Sequence, residues 1–361
     1  MKKILLLSNH HAYTYNFRKE VIQSLLDDGY NVTVVAPYGD KIELLKDMGC
    51  DYVDLPLDRR GMNLKKDIQL MYRYYKIVRR LKPNIVLSYT IKPNIYGGIV
   101  SRLTNTPFIP NVTGLGSAAN SNKVISKLIL FLYKIAFQKS AHVFFQNEQN
   151  RDFFLGNGFN IKYDVLPGSG VNLTEYRLTP YPIESNTYEI LYVGRVMKEK
   201  GVNELFDAAK ILYNKGIPVH FKLAGFLDGE IDASNLAKYT NIKLLGPRDD
   251  VPTLIEKAHA VILPSYHEGM SNALLEAAAS GRPLLASNIA GCKEIVDDGK
   301  NGFLFEAKSA KSIVEKIEKF LSTSYPEKVK MGYESRTKVE EEFDRSIIVN
   351  SYLNKITEVV K

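Results

Sequence analysis

The sequence predicts an α/β protein with two doubly wound parallel-sheet domains. Its 361 residues are enough for two ordinary domains, each with its own core. Short apolar runs alternate with longer helical stretches along the whole chain, which is typical of repeated βαβ units. A segment rich in Pro and Gly at 167–170, followed by a polar stretch at 179–187, indicates the boundary. We therefore predict domains over residues 1–172 and 173–344, with a C-terminal helix at about 345–361 that packs back on the first domain.

The predicted strands are short runs rich in Val, Ile, Leu and Phe, as expected for strands that are covered on both faces. They lie at residues 4–7, 32–36, 85–88, 108–111 and 142–146 in the first domain, and at 188–193, 219–224, 242–245, 260–263 and 283–286 in the second. Predicted helices lie at 18–28, 64–81, 201–215, 271–280 and 310–321. Because ligands of parallel sheets bind beyond the carboxyl ends of the strands, two such domains facing each other would form a cleft lined by residues that follow strands.

Composition excludes several classes of protein. Hydrophobic residues make up 45% of the chain and charged residues 24%, which is typical of a globular protein and not of a disordered one. Two cysteines, Cys50 and Cys292, cannot form a disulfide framework, which favours a reducing compartment. The first apolar run is too short for a signal peptide, and no stretch is long enough to span a bilayer. We expect a cytoplasmic protein, bound peripherally to the inner face of the cell membrane.

The formal net charge of +8 is concentrated in one part of the chain. Between Arg59 and Lys139 there are fifteen basic residues and a single acidic one, Asp67. This excess favours an anionic partner, although a solvated basic surface has the same composition. Basic side chains are interleaved with Leu, Met and Tyr at 59–82, and lysines share one helical face at 121–139, a pattern that favours an anionic membrane surface. No nucleic-acid module is recognisable, so nucleic acid is the less favoured partner.

Two segments of the second half are suited to binding a diphosphate. The first follows a predicted strand directly and contains Gly194, Arg195 and Lys200. A glycine lets the backbone turn away from the sheet, and a guanidinium and an ammonium at the strand end can bind phosphate oxygens. Solvated surface groups would give the same pattern.

The second segment, residues 264–277, follows another predicted strand and begins a helix. Ser271 or Asn272 is a suitable cap. The positive end of the helix dipole reinforces anion binding by the amides of the first turn. The amides that could bind an anion are those of Gly269, Met270, Ser271 and Asn272. Glu268 precedes the helix, and Glu276 lies within it and leans towards its amino end, where a carboxylate suits the paired hydroxyls of a ribose. An exposed charge on the helix is the alternative for Glu276.

Together these motifs resemble the retaining GT-B glycosyltransferases of family four, over nearly the whole chain. The residues that carry the resemblance are Gly194-Arg195, Lys200-Gly201, the pair Glu268 and Glu276 with seven residues between them, and the segment 291–305. Within the family the chain is most similar to bacterial enzymes that extend lipid-linked sugars for capsule, O-antigen or protein glycosylation. Residues 111–117 carry that similarity, and their Gly-x-Gly is too incomplete to indicate a nicotinamide cofactor.

The resemblance implies a GT-B fold with Rossmann-like domains. It implies transfer of a sugar, an N-acetylhexosamine or a hexose, from a UDP-linked donor to a polyprenyl diphosphate-linked glycan. By the resemblance, Arg195 and Lys200 hold the donor diphosphate, Glu268 contacts the donor sugar and Glu276 binds the ribose. Retention would follow from attack on the same face as the leaving phosphate, which takes the acceptor's proton. No cofactor and no metal ion is expected, since there is no Asp-x-Asp motif and the histidines lack ligand-like spacing.

Further site candidates are less specific. Arg248, in a polar turn after a predicted strand, could stack on the nucleobase. The acceptor-side candidates are the residues that follow strands of the first domain: His10, His11, Arg18, Lys92, Thr113 and Gly114. A histidine there could serve as a base and Lys92 could bind an acceptor phosphate, while a structural histidine and a solvated lysine remain open.

Two other functions share the architecture. A GT-B nucleotide-sugar epimerase would convert its substrate without an acceptor. A non-catalytic subunit would keep the fold and bind a partner, although the intact Arg195, Lys200, Glu268 and Glu276 count against it.

Overall fold

The computed structural model describes residues 1–58, 63–114, 123–228, 231 and 238–360. These residues form two compact units, one of Met1–Ser169 with Ser346–Lys361 and the other of Gly170–Arg345. The chain passes from the first unit to the second at Gly170 and returns after Arg345. The first residues of both predicted basic segments, 59–62 and 121–122, and residues 115–117 of the 111–117 segment lie outside the described residues.

The first unit is built on a parallel sheet. Its strands are β1 (Lys3–Leu7), β2 (Asn31–Ala36), β3 (Asp51–Asp54), β4 (Ile85–Tyr89), β5 (Phe108–Val112), β6 (Val143–Phe145) and β7 (Tyr163–Val165). Within the described residues they are ordered β3-β2-β1-β4-β5-β6-β7, and every neighbouring pair is parallel. The order reverses between β1 and β4, and we call this position the switch point of the first unit.

Helices cover both faces of this sheet. They are α1 (His11–Asp27), α2 (Lys41–Asp47), α3 (Leu64–Leu81), α4 (Gly98–Leu103), α5 (Lys123–Phe137) and α6 (Glu148–Gly156), with a π-helical turn at Pro93–Gly97. Buried side chains of α1 and α2 pack on one face, and those of α3, α4 and α5 pack on the other. The last helix of the chain, α12 (Arg345–Val359), adds Ile348, Tyr352 and Ile356 to the core under α1 and α2.

The second unit repeats the same plan with one strand fewer among the described residues. Its strands are β8 (Tyr188–Val193), β9 (Val219–Ala224), β10 (Ile242–Gly246), β11 (Ala260–Leu263), β12 (Leu284–Ser287) and β13 (Gly302–Phe305). Its helices are α7 (Val202–Asn214), α8 (Val251–Lys257), α9 (Asn272–Ala279), α10 (Ala310–Ser322) and α11 (Tyr325–Glu342). The strand order is β10-β9-β8-β11-β12-β13, so the switch point of this unit lies between β8 and β11.

The α/β architecture and its parallel sheets confirm the predicted fold class. Each of the predicted strands coincides with an observed strand to within about one residue at either end. Three strands were not predicted, namely β3, β7 and β13, and all three lie at a sheet edge.

The predicted start of the first helix at residue 18 is wrong, because α1 already begins at His11. The imidazole of His10 accepts a hydrogen bond from the amide of Ala12 at 3.1 Å and so caps the helix. His11 therefore lies in the helix and not in a loop, and Arg18 lies in the middle of the helix and not at its start. No helix among the described residues has the length and apolar character needed to cross a bilayer.

Candidate functional site

The predicted diphosphate motifs meet at the switch point of the second unit. The loop after β8 carries Gly194 and Arg195, then a single 3-10 turn at Lys198–Lys200. The loop after the neighbouring strand β11 carries residues 264–271 and leads into α9. In open parallel sheets such a position is where ligands bind.

The two loops are in direct contact. A Cβ on Gly201 would lie 1.9 Å from the carbonyl oxygen of Pro264, so no larger residue fits there. Gly201 also has φ +67, a conformation that favours glycine. The amide of Tyr266 donates to the carbonyl of Glu199 at 3.0 Å. This close approach places the side chain of Lys200 over the β11 loop.

Lys200 and Glu268 form an ion pair across the switch point. The Nζ of Lys200 lies 2.5 Å from Oε1 of Glu268, and the hydroxyl of Ser265 donates to the same oxygen at 2.7 Å. The side chains of Lys200 and Glu268 are 20% and 12% exposed. The pair is thus shielded from bulk water yet still reachable by a ligand.

Arg195 is held by a second carboxylate. Its Nη1 lies 3.0 Å from Oδ2 of Asp228, which follows β9. The carbonyl of Arg195 accepts a hydrogen bond from the hydroxyl of Tyr192, and the amide of Gly194 donates to Ala224. Both predicted cations are therefore neutralised by carboxylates, and an incoming diphosphate would have to compete for them.

The start of α9 differs in one respect from the prediction. Ser271 is the cap, and its hydroxyl accepts from the amide of Leu274 at 3.2 Å. The amide of Ser271 itself donates to the carbonyl of Gly291 at 3.0 Å and is therefore not available to an anion. Within the described chain no partner is seen for the amides of Asn272 and Ala273, which lie in the first turn. Met270 is buried in the core.

Glu276 does not lie on an exposed helix surface. Its side chain is only partly exposed, and it lies within the electrostatic influence of the Tyr176 hydroxyl and the Arg345 guanidinium. Burial raises the pKa of Glu276 to about 7, while Tyr176 and Arg345 act in the opposite direction. The side chain is thus directed into the protein from the helix that begins at the switch point.

Arg248 lies in the turn after β10, apart from these groups. Its Nε and Nη2 contact the two carboxylate oxygens of Asp250 at 2.7 and 2.5 Å. The hydrogen-bonding edge of the guanidinium is occupied in this way, so a nucleobase would meet its planar face.

The first-unit candidates follow β1, β4 and β5, which are neighbours in the sheet. The rings of His10 and His11 stack with centroids 4.6 Å apart, and Nδ1 of His11 lies 3.3 Å from Oδ1 of Asp40. Thr113 and Gly114 follow β5 directly and are partly buried. These candidates therefore lie at the carboxyl ends of three neighbouring strands of the sheet.

Arg18 and Lys92 are less exposed than a solvated surface residue. Arg18 is 4% exposed, and its guanidinium carbon lies 4.4 Å from the ring centroid of Tyr89, at the end of β4. The Nζ of Lys92 lies 2.7 Å from Oδ1 of Asp67 in the first turn of α3, with both side chains largely buried. Lys92 is therefore not a solvated lysine.

Sequence reasoning did not find four residues that either contact the charged side chains of the site or lower the pKa of Glu276. They are Tyr176, Asp228, Ser265 and Arg345. Ser265 lies inside a motif and could have been found there, whereas Asp228 and Arg345 are distant in sequence from the side chains they contact. Among the described residues no three His, Cys, Asp or Glu side chains are grouped as metal ligands.

Two family models match the chain in succession. A model described as "Glycosyl transferase 4-like" matches residues 3–147, and one described as "Glycosyl transferases group 1" matches residues 179–338. Together they span most of both units.

Curated relatives and solved structures agree with these matches. A Campylobacter jejuni protein named N,N'-diacetylbacillosaminyl-diphospho-undecaprenol alpha-1,3-N-acetylgalactosaminyltransferase is 27% identical over 99% of both chains. An Escherichia coli protein named UDP-Gal:alpha-D-GlcNAc-diphosphoundecaprenol alpha-1,3-galactosyltransferase is 27% identical over 74% of this chain and 76% of its own. Anabaena HepE, solved with UDP and glucose, superposes with a TM-score of 0.81 at 17% identity, covering 99% of this chain and 100% of that one, which shows a shared fold.

Proposed function

Because the chain belongs to the GT-B glycosyltransferases of family four, we propose that it moves a sugar from a UDP-linked donor to a polyprenyl diphosphate-linked glycan, with retention of configuration. The sugar is a hexose or an N-acetylhexosamine, and the product is a precursor of a cell-surface polysaccharide or glycoprotein glycan. The relatives from C. jejuni and E. coli, which are named for transfer to undecaprenol diphosphate-linked sugars, support this choice of acceptor.

The observation that carries the proposal is the contact between Lys200 and Glu268 at the switch point of the second unit. It places a cation and a carboxylate side by side at the amino end of α9, with Arg195 at the end of the adjacent strand. The cations suit a diphosphate and the carboxylate suits sugar hydroxyls, so the arrangement fits a nucleotide-sugar.

In the proposed reaction, the bond between the anomeric carbon and the diphosphate oxygen breaks while the acceptor oxygen bonds to that carbon on the same face. The acceptor's proton passes to the leaving phosphate. Lys200 and Arg195 stabilise the negative charge that develops on the diphosphate, and the amides of Asn272 and Ala273 add to this stabilisation. Because these groups supply fixed positive charge, we expect transfer to need no metal ion or other cofactor.

The test measures UDP release from a panel of UDP-sugars, with and without a polyprenyl diphosphate-linked acceptor and in the presence of a metal chelator. We expect release to depend on the acceptor and to survive chelation. Conversion of the free donor to an epimer without acceptor would replace the proposal with the epimerase, and no donor binding at all would support a non-catalytic subunit.

We also propose that α3 and α5 dock the protein on an anionic membrane surface, where a lipid-linked acceptor resides. Leu64, Ile68 and Tyr72 of α3 share one face and are 76%, 53% and 56% exposed. Lys65, Arg73, Lys76, Arg79 and Arg80 are exposed on the same helix. Basic side chains beside exposed apolar ones suit an anionic membrane interface, because lipid headgroups attract the charge and the acyl boundary accepts the apolar groups.

The helix α5 continues this surface. Val124, Leu128 and Phe131 are exposed at helical spacing, and Lys127 and Lys134 are exposed beside them. Both α3 and α5 pack against α4, so they lie on the same side of the sheet. Asp67, the one acidic residue of this region, is turned inward to Lys92 and leaves the exposed side chains of α3 cationic.

Vesicle co-sedimentation tests this surface. Replacing Arg73, Lys76, Arg79 and Arg80 by Gln should lower the affinity for phosphatidylglycerol vesicles by up to about 1000-fold, since each of the four charges contributes at most about 1 kcal/mol. The matched control replaces four basic residues that are exposed in the second unit, Lys215, Lys257, Lys311 and Lys330. Equal loss in both variants would reject a specific surface.

A further inference from the structure

Arg18 is a buried cation that has no carboxylate partner in the part of the chain that the structure describes. It is 4% exposed, and its guanidinium carbon lies 4.4 Å from the ring centroid of Tyr89. Of its five N–H donors, one is seen to be bonded among the described residues, from Nη1 to the carbonyl of Phe17 at 3.2 Å. Because a buried charge without a partner costs free energy, this arrangement calls for an explanation.

Two other cations that are as deeply buried are satisfied by the fold. The guanidinium of Arg282 donates through Nε, Nη1 and Nη2 to backbone carbonyl oxygens. The ammonium of Lys328 donates to the hydroxyl of Tyr188 and to two backbone carbonyls. The fold therefore supplies oxygen atoms where a buried cation has a structural role, and it supplies few to Arg18.

Two further polar atoms lie unbonded at the switch point of the first unit. Asn9 follows β1 and Thr90 follows the neighbouring strand β4, and each lies two residues beyond the last residue pair of these strands. Oδ1 of Asn9 and Oγ1 of Thr90 are buried, and neither has a hydrogen-bond partner within the described chain. Thr90 directly follows Tyr89, on which the guanidinium of Arg18 lies. The three side chains therefore belong to one region.

The backbone of Thr90 is strained. Its φ is +73, a conformation that is rare for a β-branched residue. Residues held in such conformations occur mostly at functional sites, where the surrounding structure keeps them in place. Strain, an unbonded hydroxyl and an uncompensated guanidinium thus occur together at the position of a parallel sheet where ligands bind.

We propose that Arg18 and Thr90 bind a phosphate group of the diphosphate that carries the acceptor glycan. This assignment rests on the proposed function and names residues that recognise its acceptor. A guanidinium binds two phosphate oxygens at once, and the hydroxyl of Thr90 donates to a third. Oδ1 of Asn9 is a hydrogen-bond acceptor and suits a hydroxyl of the glycan. Lys92, the sequence candidate for an acceptor phosphate, is neutralised by Asp67, and Arg18 takes its place.

Calorimetry with farnesyl diphosphate, a short polyprenyl diphosphate, measures this binding while UDP saturates the donor site. Arg18→Met should lower the affinity for farnesyl diphosphate by about 30-fold, because a charged, two-pronged contact is lost. Arg18→Lys, which keeps the charge without the fork, and Thr90→Val, which removes the hydroxyl, should each lower it by about fivefold. The affinity for UDP, titrated separately, should stay the same in all three variants.

Two controls identify the phosphate as the group that is bound. Arg151 is another arginine of the first unit, but it is paired with Glu148 and Asp152 at 3.3 and 2.8 Å. Arg151→Met should therefore bind farnesyl diphosphate as the unaltered protein does. Farnesol, which has no phosphate, should show no difference between Arg18→Met and the unaltered protein.

Thermal unfolding separates binding from a structural role. Since the empty site contains an unpaired charge, Arg18→Met should unfold about 3 °C above the unaltered protein, and farnesyl diphosphate should stabilise it less.

Three results would overturn the inference and leave the proposed function, which acceptor-dependent UDP release tests, intact. They are full affinity for farnesyl diphosphate in Arg18→Met, failure of that variant to fold, and failure of the unaltered protein to bind farnesyl diphosphate beside UDP. An unaltered protein that binds neither compound would overturn both.

Discussion

Each unit has a lysine paired with a carboxylate after a strand that borders its switch point, but the two pairs connect different parts of the molecule. In the second unit Lys200 reaches Glu268, so the pair joins the loops after two adjacent strands. In the first unit Lys92, which follows β4, reaches Asp67 in the first turn of α3. One pair lies across the site where a ligand would bind, and the other fastens a helix to the sheet.

The two ion pairs would respond differently to a ligand: an incoming diphosphate could displace the pair in the second unit, whereas the pair in the first unit stabilises the fold. Glu268 accepts a second hydrogen bond from Ser265, so it would keep a partner if a diphosphate bound Lys200. Lys92 and Asp67 are 15% and 12% exposed, and they anchor the helix that carries the exposed basic side chains. A lysine and a carboxylate are therefore proposed to serve catalysis in the second unit, whereas in the first unit the same two groups fasten a helix to the sheet.

The largest expected effect is that of Lys200→Ala on turnover. Removal of a charge that stabilises the leaving diphosphate should lower kcat/KM by about 1000-fold while the protein stays folded. The measurement is UDP release alongside thermal unfolding. The control, Lys215→Ala, removes a lysine paired with Glu318 at 2.7 Å on the surface and should keep full activity. Unchanged turnover in Lys200→Ala would place the donor site elsewhere.

The counterpart in the first unit, Lys92→Met, should act on stability. It leaves the largely buried Asp67 without its cation, which should cost about 3 kcal/mol in the free energy of unfolding. Adding Asp67→Asn removes the unpaired charge and should recover most of that loss. Denaturant titration of both variants measures these losses. If Lys92→Met cost no more stability than replacement of an exposed lysine, the pair would not stabilise the fold.

A smaller effect on the free energy of unfolding is expected at Glu276, where a substitution should stabilise the protein and not destabilise it. The pKa of this carboxyl is raised in the folded protein from 4.5 to about 7, so ionisation destabilises the fold as the pH rises between these values. Glu276→Gln should therefore be more stable than the unaltered protein at pH 8, by about 2 to 3 kcal/mol, and equal to it near pH 4. Denaturant titration at both pH values tests this. Equal stability of the two proteins at pH 8 would show that folding does not raise the pKa of Glu276.

The smallest effect is expected at the start of α1. His10→Ala removes the side chain that caps the helix and should cost about 1 kcal/mol, whereas His10→Ser supplies another capping oxygen and should restore stability. Equal destabilisation by both replacements would reject the capping role. Sugar transfer to the acceptor by a stable His10→Ser variant would show that His10 caps the helix and is not a catalytic base.

Much of the fold could be predicted because strands covered on both faces are continuous apolar runs. Two of the three strands that were missed, β3 and β7, are at sheet edges, where one side lacks a strand neighbour and polar residues are tolerated; the third, β13, is an apolar edge strand of only four residues. β3 reads Asp51-Tyr52-Val53-Asp54 and lacks an apolar run. The start of α1 was missed for a different reason, because histidine is not among the residues that usually cap helices.

Of the candidate site, sequence could predict the side chains that follow strands but not their partners. Arg195, Lys200 and Glu268 stand in short contiguous motifs next to apolar runs. Asp228 and Arg345 reach the site only through the folding of distant segments, and nothing in their neighbours along the chain indicates that contact. Asp67 is the exception, because a lone acid within a long basic stretch is itself a sign of an internal pair.

The return of the chain to the first unit after Arg345 has a consequence for biosynthesis. Ile348, Tyr352 and Ile356 fill the core beneath α1 and α2, and the ribosome delivers them only after the whole of Gly170–Arg345 has been made. Until then the face of the first sheet that α1 and α2 pack on is only partly covered, and some of its apolar side chains stay open to water. The unit that is translated first is therefore the one that is completed last, and a nascent chain stalled before residue 346 should depend on chaperones.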